Sequence, residues 1–388
     1  MSYGSMMDAG NLWWSEIAGP AKLVTDIEGA LSKGQSVICN VTTSLSFRWT
    51  FRDIIGHWLF ERGIMVVHVD CHGEYNGEDI TEFLLRQLQP NLLTEYQRRR
   101  TPQYMRDKGV LHGKLLWIRG VDSSFQRNWI QYISSYRSHD LEHGLLLMEV
   151  QSSPSVRLPQ NLQYFDHNQY IRKDDLRLYA SIVAENHVAA SGGAKQYAVE
   201  LVTALTFLDS ELANDILLQA ELFTEEPLTL LRRIKSDYYS DSPRGQEDWH
   251  PFYLLLKERE DELIYRIWSA QVRVGYPRIE LERRELIRRW HNEIEEALNV
   301  AYLDERTGSA KRFTDYEGNL ITDPRDIEVG MLLKLCASRQ FTDPSQYLLY
   351  LPDQSERNRI RLLRDCRNNL AHLDVCGADD FFELVNAE

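Results

Sequence analysis

Four short, uninterrupted apolar runs in the first 150 residues constrain the fold of this chain more than any other feature. They are QSVICNV (35–41), IMVVHVD (64–70), KLLWIRGVD (114–122) and GLLLMEV (144–150). Strands that are apolar on both faces belong to a parallel sheet covered by helices on each side. The segments between them carry helical spacing. In PAKLVTDIEGALSKG, Leu23, Ile27 and Leu31 fall on one face, and Gly34 ends the helix as a C-terminal cap would; SFRWTFRDIIGHWLFERG is closed in the same way by Gly63. A fifth strand is read at NQYIRK (168–173), and Asp174 is expected to cap the helix that follows, DDLRLYASIVAENH.

After about residue 190 the strand signal stops. Three helices are read between Lys195 and Tyr239. A polar break, YSDSPRGQEDWHP (239–251), precedes a region of amphipathic helices, a long polar loop at 304–326 with a hairpin expected at DYEGN, and two further helices. The fold class expected is therefore α/β plus all-α. It comprises a parallel-sheet domain over 1–190, a helical lid or linker over 191–245, and a helical domain over 250–388. The chain has 388 residues, 43% apolar and 26% charged, which suits a globular protein with a real core. No apolar run is long enough to span a membrane. The first twenty residues lack a basic region followed by an apolar run and are not expected to act as a secretory signal. Five scattered cysteines without CxxC pairs fit reduced thiols, and a cytoplasmic location, better than a disulfide frame or a zinc site.

A helix, a strand, then a loop and helix, with a later strand running towards Asp122, resembles in layout the P-loop ATPases of the AAA-like and signal-transducing (STAND) families, in which a helical lid follows the fifth strand. The resemblance covers about 240 residues. A phosphate-binding loop needs glycines, so that backbone N–H groups can approach the phosphates, and a lysine. From Gln35 to Ile55 there is neither. Thr42, Thr43 and Ser44 offer hydroxyls, Arg48 offers a charge, and Asp122 stands where an acidic residue would hold a metal ion; these are weak substitutes. The domain is expected not to hydrolyse ATP, and no cofactor is assigned to it. A Rossmann-like sensing domain joined by helices to a ribonuclease is a second similar layout. It is that of CRISPR-associated ribonucleases activated by cyclic oligoadenylate, although those usually begin with a strand. In VDCHGEY (69–75), Asp70, Cys71, His72 and Glu74 cluster, but a polar loop explains them better than part of a metal site, and no metal is expected.

Near the end of the chain, RDCRNNLAHLDVC (364–376) places Arg364, Arg367, Asn368, Asn369 and His372 on one helix. At about 100° per residue, Ile360, Leu363, Cys366, Leu370 and Leu373 form an apolar stripe, with His372 and Asn368 together on a different face. Arg367-Asn368-Asn369-Leu370-Ala371-His372 matches the R-x4-H motif of HEPN ribonucleases, and residues 280–388 resemble their helical bundle, which ends in the motif helix. The polar insertion at about 303–325 departs from that pattern. The resemblance implies His372 as acid/base, Arg367 as phosphate clamp and Asn368 as orienting residue, with Arg361 and Arg364 guiding an RNA backbone. It implies a metal-independent endoribonuclease, working as a homodimer because one Arg and one His make a thin site, in a prokaryotic toxin or anti-phage defence system. A net charge of −14 argues against wrapping nucleic acid with the whole surface but leaves room for a local patch. The alternative is a non-catalytic pseudo-ATPase adaptor that assembles with a protein partner in a defence complex. An ATPase with an unorthodox phosphate loop is a third, weaker reading.

Overall fold

The computed structural model describes residues 9–41, 45–101, 103–136, 143–151, 162–240 and 247–386. They fall into two compact units: Met1–Ile182 with Thr206–Asp215 and Tyr239–Lys257, and Val183–Leu205 with Ile216–Tyr238 and Glu258–Glu388. The helices read as a lid or linker are thus divided between the two units.

The first unit is built on a sheet that holds, among the described residues, five strands: β1 (Ser36–Asn40), β2 (Met65–Asp70), β3 (Lys114–Arg119), β4 (Leu145–Val150) and β5 (Leu162–Asp166). Their order is β2-β3-β4-β1-β5, and every neighbouring pair is parallel. This mixed α/β arrangement is compatible with a P-loop-like domain. The central strands β1 and β4 are buried at every residue, as their apolar sequences require, whereas the edge strand β2 leaves Met65, His68 and Asp70 exposed.

Parallel strands need crossovers, and helices supply them. α1 (Ala18–Ser32) precedes β1, and α2 (Arg48–Phe60) joins β1 to β2. α3 (Ile80–Leu88), α4 (Leu93–Arg99) and α5 (Tyr104–Asp107) join β2 to β3, and α6 (Gln126–Tyr136) follows β3. One face of the sheet, through Ile38, Leu116, Ile118, Leu146 and Met148, packs on Phe83, Leu84, Tyr96, Met105, Trp129 and Ile133 of α3–α6. Alternation along β3 sends Trp117 to the other face, where it meets Phe51 of α2 edge-on with ring centroids 6.3 Å apart.

The fifth strand is displaced from its expected place. Leu162–Asp166 pairs with β1, while His167–Tyr170 forms a short helix, α7. The reason is local: the Asp166 carboxylate accepts from the Asn168 N–H at 3.1 Å and caps a helical turn where NQYIRK alone reads as extended. α8 (Lys173–His187) follows. Asp174 lies in its first turn, and it is Asp175 whose carboxylate accepts from the Arg172 N–H at 2.8 Å, so the capping role moves by one residue. Further along are α9 (Gly192–Thr206), α10 (Ser210–Leu217), α11 (Pro227–Tyr239) and α12 (Pro251–Leu256).

The core of the second unit is α13 (Glu260–Arg289), followed by α14 (His291–Asn299), the two-residue strands β6 (Tyr302–Leu303) and β7 (Ala310–Lys311), α15 (Val329–Ala337), α16 (Gln354–Ala371) and α17 (Ala378–Asn386). The turn read at DYEGN forms: Thr314 and Leu320 bridge, and the Asp315 N–H donates to the Asn319 carbonyl at 2.9 Å. The helix α17 lies beyond the motif helix, so α16 is not the last one. Ile360, Leu363, Cys366 and Leu370 of α16 are buried as the stripe requires, but Leu373 is 62% exposed, because the helix ends before it and the chain turns there through φ +65°. All five cysteines are free thiols. No described helix is long and apolar enough to cross a membrane.

Candidate functional site

The loop between β1 and α2 is where a P-loop fold would receive phosphates. Thr42, Thr43 and Ser44 lie outside the described residues. The part that follows is tied down by internal bonds. The Ser46 hydroxyl donates to Asp209 Oδ1 at 3.1 Å and accepts from the Ser210 N–H at 2.9 Å. The indole of Trp14 donates to the Ser46 and Phe47 carbonyls at 3.1 and 3.2 Å. Phe47 holds a left-handed φ of +48° without being glycine, a strain of about 1–2 kcal/mol. Its N–H, at the start of α2, donates to Glu211 Oε2 at 2.7 Å. A carboxylate of the protein therefore sits where an anion would meet the helix start. Arg48 is the first residue of α2, and Asp122 stands exposed three residues beyond β3, its carboxylate accepting from the N–H and hydroxyl of Ser124 at 2.8 and 2.6 Å, as in a turn.

Asp209 also binds His250, with Nε2 to Oδ2 at 3.1 Å, and His250 Nδ1 accepts from the Phe252 N–H at 3.1 Å. Serine and histidine thus share one aspartate without touching through a Ser–His bond, and Asp209 and His250 are wholly buried. This is a structural network at a loop, not an accessible nucleophile. Nearby, Glu149 stands in an otherwise apolar strand. It is held by Arg52 through Nε–Oε1 and Nη2–Oε2 bonds of 2.8 and 2.7 Å and by the Trp117 indole at 2.9 Å. Arg52 borders an open groove of about 500 Å³ between α2 and β2, where Trp49 and Phe60 are 67% and 75% exposed.

In the 69–75 segment, Asp70 Oδ1 accepts from the His72 N–H and Glu74 from Gln87, each at 3.0 Å. Burial pushes the Cys71 thiol up to about 12, with Asp70 and Glu74 adding to the effect. Among the described residues no three His, Cys, Asp or Glu side chains group so as to hold a metal.

The motif helix α16 begins at Asp353, whose carboxylate accepts from the Ser355 N–H at 2.8 Å. His372 is its C-cap: the N–H donates to the Asn368 and Asn369 carbonyls at 3.1 Å, and the imidazole is exposed. Asn368, one turn earlier, is exposed too. Arg361, Asn368 and His372 fall within about 40° of one another around the axis, and Arg361 donates only weakly, to Asn358 Oδ1 at 3.4 Å. Arg364 is paired with Asp365, Nε to Oδ1 at 2.8 Å. Arg367 lies five residues before His372 and so about 140° away round the helix. Its guanidinium meets Glu328 at 3.1 Å, with the two side chains 40% and 61% exposed. An ion pair that wet is worth at most about 1 kcal/mol and gives way to a phosphate at little cost.

What reading from sequence missed is how α13 holds the end of α16. The Trp268 indole donates to the Leu370 carbonyl at 2.8 Å. Gln271, fully buried, donates to the Cys376 carbonyl at 2.9 Å and accepts from its N–H at 2.8 Å. The available signal was Trp268 and Gln271 three apart on one helical segment. A second cleft of about 730 Å³ lies on the first half of α16. It is lined by Glu282, Arg289, Glu356 and Arg359, whose charges pair with one another.

No protein-family model matches the chain, and comparison with curated proteins gives no match. Among solved structures the chain is similar to one from Drosophila ORC bound to DNA. The identity is 10% and the TM-score 0.30, over 96% of this chain and 68% of that one. Nothing about function is carried over at that level of likeness.

Proposed function

We propose that this chain is a metal-independent endoribonuclease with a HEPN-like C-terminal domain, acting as a homodimer under control of its N-terminal domain, in a prokaryotic toxin or anti-phage system. The observation that carries this reading is the exposed His372 at the end of α16, with Asn368 one turn away on the same face. RNA brings its own nucleophile. The 2′-OH attacks the adjacent phosphorus, the O2′–P bond forms and the P–O5′ bond breaks. An imidazole can take the 2′ proton, and a protonated imidazole can return one to the leaving 5′ oxygen. A guanidinium stabilises the charge that builds on the non-bridging oxygens. Arg367 and His372 diverge by about 140° on one helix, so a single copy is poorly placed to put both on one phosphodiester; two copies, each lending one group, meet the requirement.

The test is cleavage of labelled single-stranded RNA in EDTA by the protein and by His372→Ala. Cleavage should fall at least about 100-fold in the variant, the lower bound for loss of a general acid–base group. Equal cleavage by both would dispose of the assignment. A second reading, a non-catalytic adaptor, is favoured by one observation: the Phe47 N–H and the Ser46 hydroxyl are already committed within the chain. Absence of cleavage by either protein selects it.

A further inference from the structure

Two features lie close to the end of α16 that carries His372. Tyr265 on α13 is 61% exposed and, among the described residues, its hydroxyl makes no hydrogen bond. Its ring lies 5.4 Å from that of Trp268 at an interplanar angle of 32°. Trp268 is anchored by its bond to the Leu370 carbonyl, two residues before His372. Leu373, the next residue after His372, is 62% exposed and held at φ +65°, a conformation that glycine adopts without strain. The helix end enforces it: the Asp374 N–H donates to the Asn369 carbonyl at 2.9 Å and closes the last turn of α16, which fixes the backbone around His372.

We propose that Tyr265, steadied by Trp268, is a base-stacking residue for single-stranded RNA whose phosphodiester reaches His372; this rests on the ribonuclease reading above. The ring packs against Trp268, which is itself anchored to the end of α16, and is largely open to solvent. Any unpaired nucleobase can lie on such a face, because every base has one. In duplex RNA the base faces are already stacked, so the shelf selects unpaired segments. Charge sets the direction of the strand. Asp261, one turn before Tyr265, is exposed and repels phosphate, whereas the guanidinium of Arg361, exposed on the same face of α16 as His372, attracts it. The backbone therefore runs along α16 with a base turned towards α13.

The experiment uses full-length protein carrying His372→Ala, so that the probe survives. It measures fluorescence anisotropy of a labelled single-stranded oligoribonucleotide and of a blunt duplex of the same sequence. Tyr265→Ala should weaken single-strand binding about 5- to 150-fold, equivalent to about 1–3 kcal/mol for one stacked base. Tyr265→Phe should bind as its parent does, and duplex binding should not change. In the active protein, Tyr265→Ala should raise KM and leave kcat near its original value. Cleavage that depends on His372 while Tyr265→Ala binds like its parent overturns the stacking role and spares the nuclease. Tyr265-dependent binding by a protein that cleaves nothing does the reverse. Equal losses on single strand and duplex also overturn the stacking role.

Discussion

His167 shows how a single side chain can be read only with its neighbours in place. It is buried, and its Nδ1–H donates to the Asn40 carbonyl at 3.1 Å. Burial pulls its pKa below the ordinary 6.5, with the Arg48 charge acting in the same direction, while the Asn40 carbonyl, Asp166 and Glu247 oppose. The folded protein therefore keeps the ring neutral where the unfolded chain would protonate it. The stability this contributes is present above about pH 6.5 and is lost as pH falls towards the folded value. The urea midpoint should drop between about pH 7.5 and 5.5. His167→Asn, whose amide can still donate to Asn40, should show a smaller drop. An unchanged drop would assign the pH dependence to other groups, among them His68, which burial and the charges of Arg119 and Arg52 shift in the same direction.

At the scale of elements, α13 and α16 show how a helix pair sets a site. Gly275 lies where α13 meets α16 and α17: a Cβ built there would be 3.0 Å from the Phe381 ring and 3.1 Å from Leu370 Cδ1. An alanine gains helix propensity of up to about 1 kcal/mol but requires the buried Phe381 ring and Leu370 to give by a few tenths of an ångström. A leucine has no room. Gly275→Leu should cost about 1–3 kcal/mol through overpacking, read as a lower denaturation midpoint. It should also weaken any activity that depends on His372, since it displaces the turn of α16 that carries Leu370. A midpoint equal to that of the original protein would mean the contact is looser than it stands here.

The whole molecule joins a parallel-sheet unit to a helical one, and the layout of the first is compatible with that of a phosphate-binding fold. There is no glycine or lysine between Gln35 and Ile55, and the N–H at the start of α2 is taken by Glu211. ATP with magnesium should release inorganic phosphate no faster than buffer alone. Magnesium-dependent turnover that Arg48→Ala abolishes would revive the ATPase reading.

The central strands and most helices were legible in the residues, because continuous apolar runs and 3.6-residue stripes are one-dimensional patterns. Gly34 marked its helix end for the same kind of reason: it holds φ +71°, and its N–H closes on the Leu31 carbonyl at 3.0 Å. The fifth strand was misplaced because an Asp cap three residues into an aromatic segment outweighs β-propensity only once the sheet edge is there to take Leu162–Asp166. The motif Arg367–His372 was visible as spelling. Its surroundings were not: Glu328 beside Arg367, Trp268 beneath Leu370 and the exposed Tyr265 come from segments up to about a hundred residues away in sequence. Local pattern determined which segments are helix and strand. Which charges are neutralised, which N–H groups are already spent and which aromatic faces remain open is decided by long-range packing, and those are the quantities that set what the protein can bind.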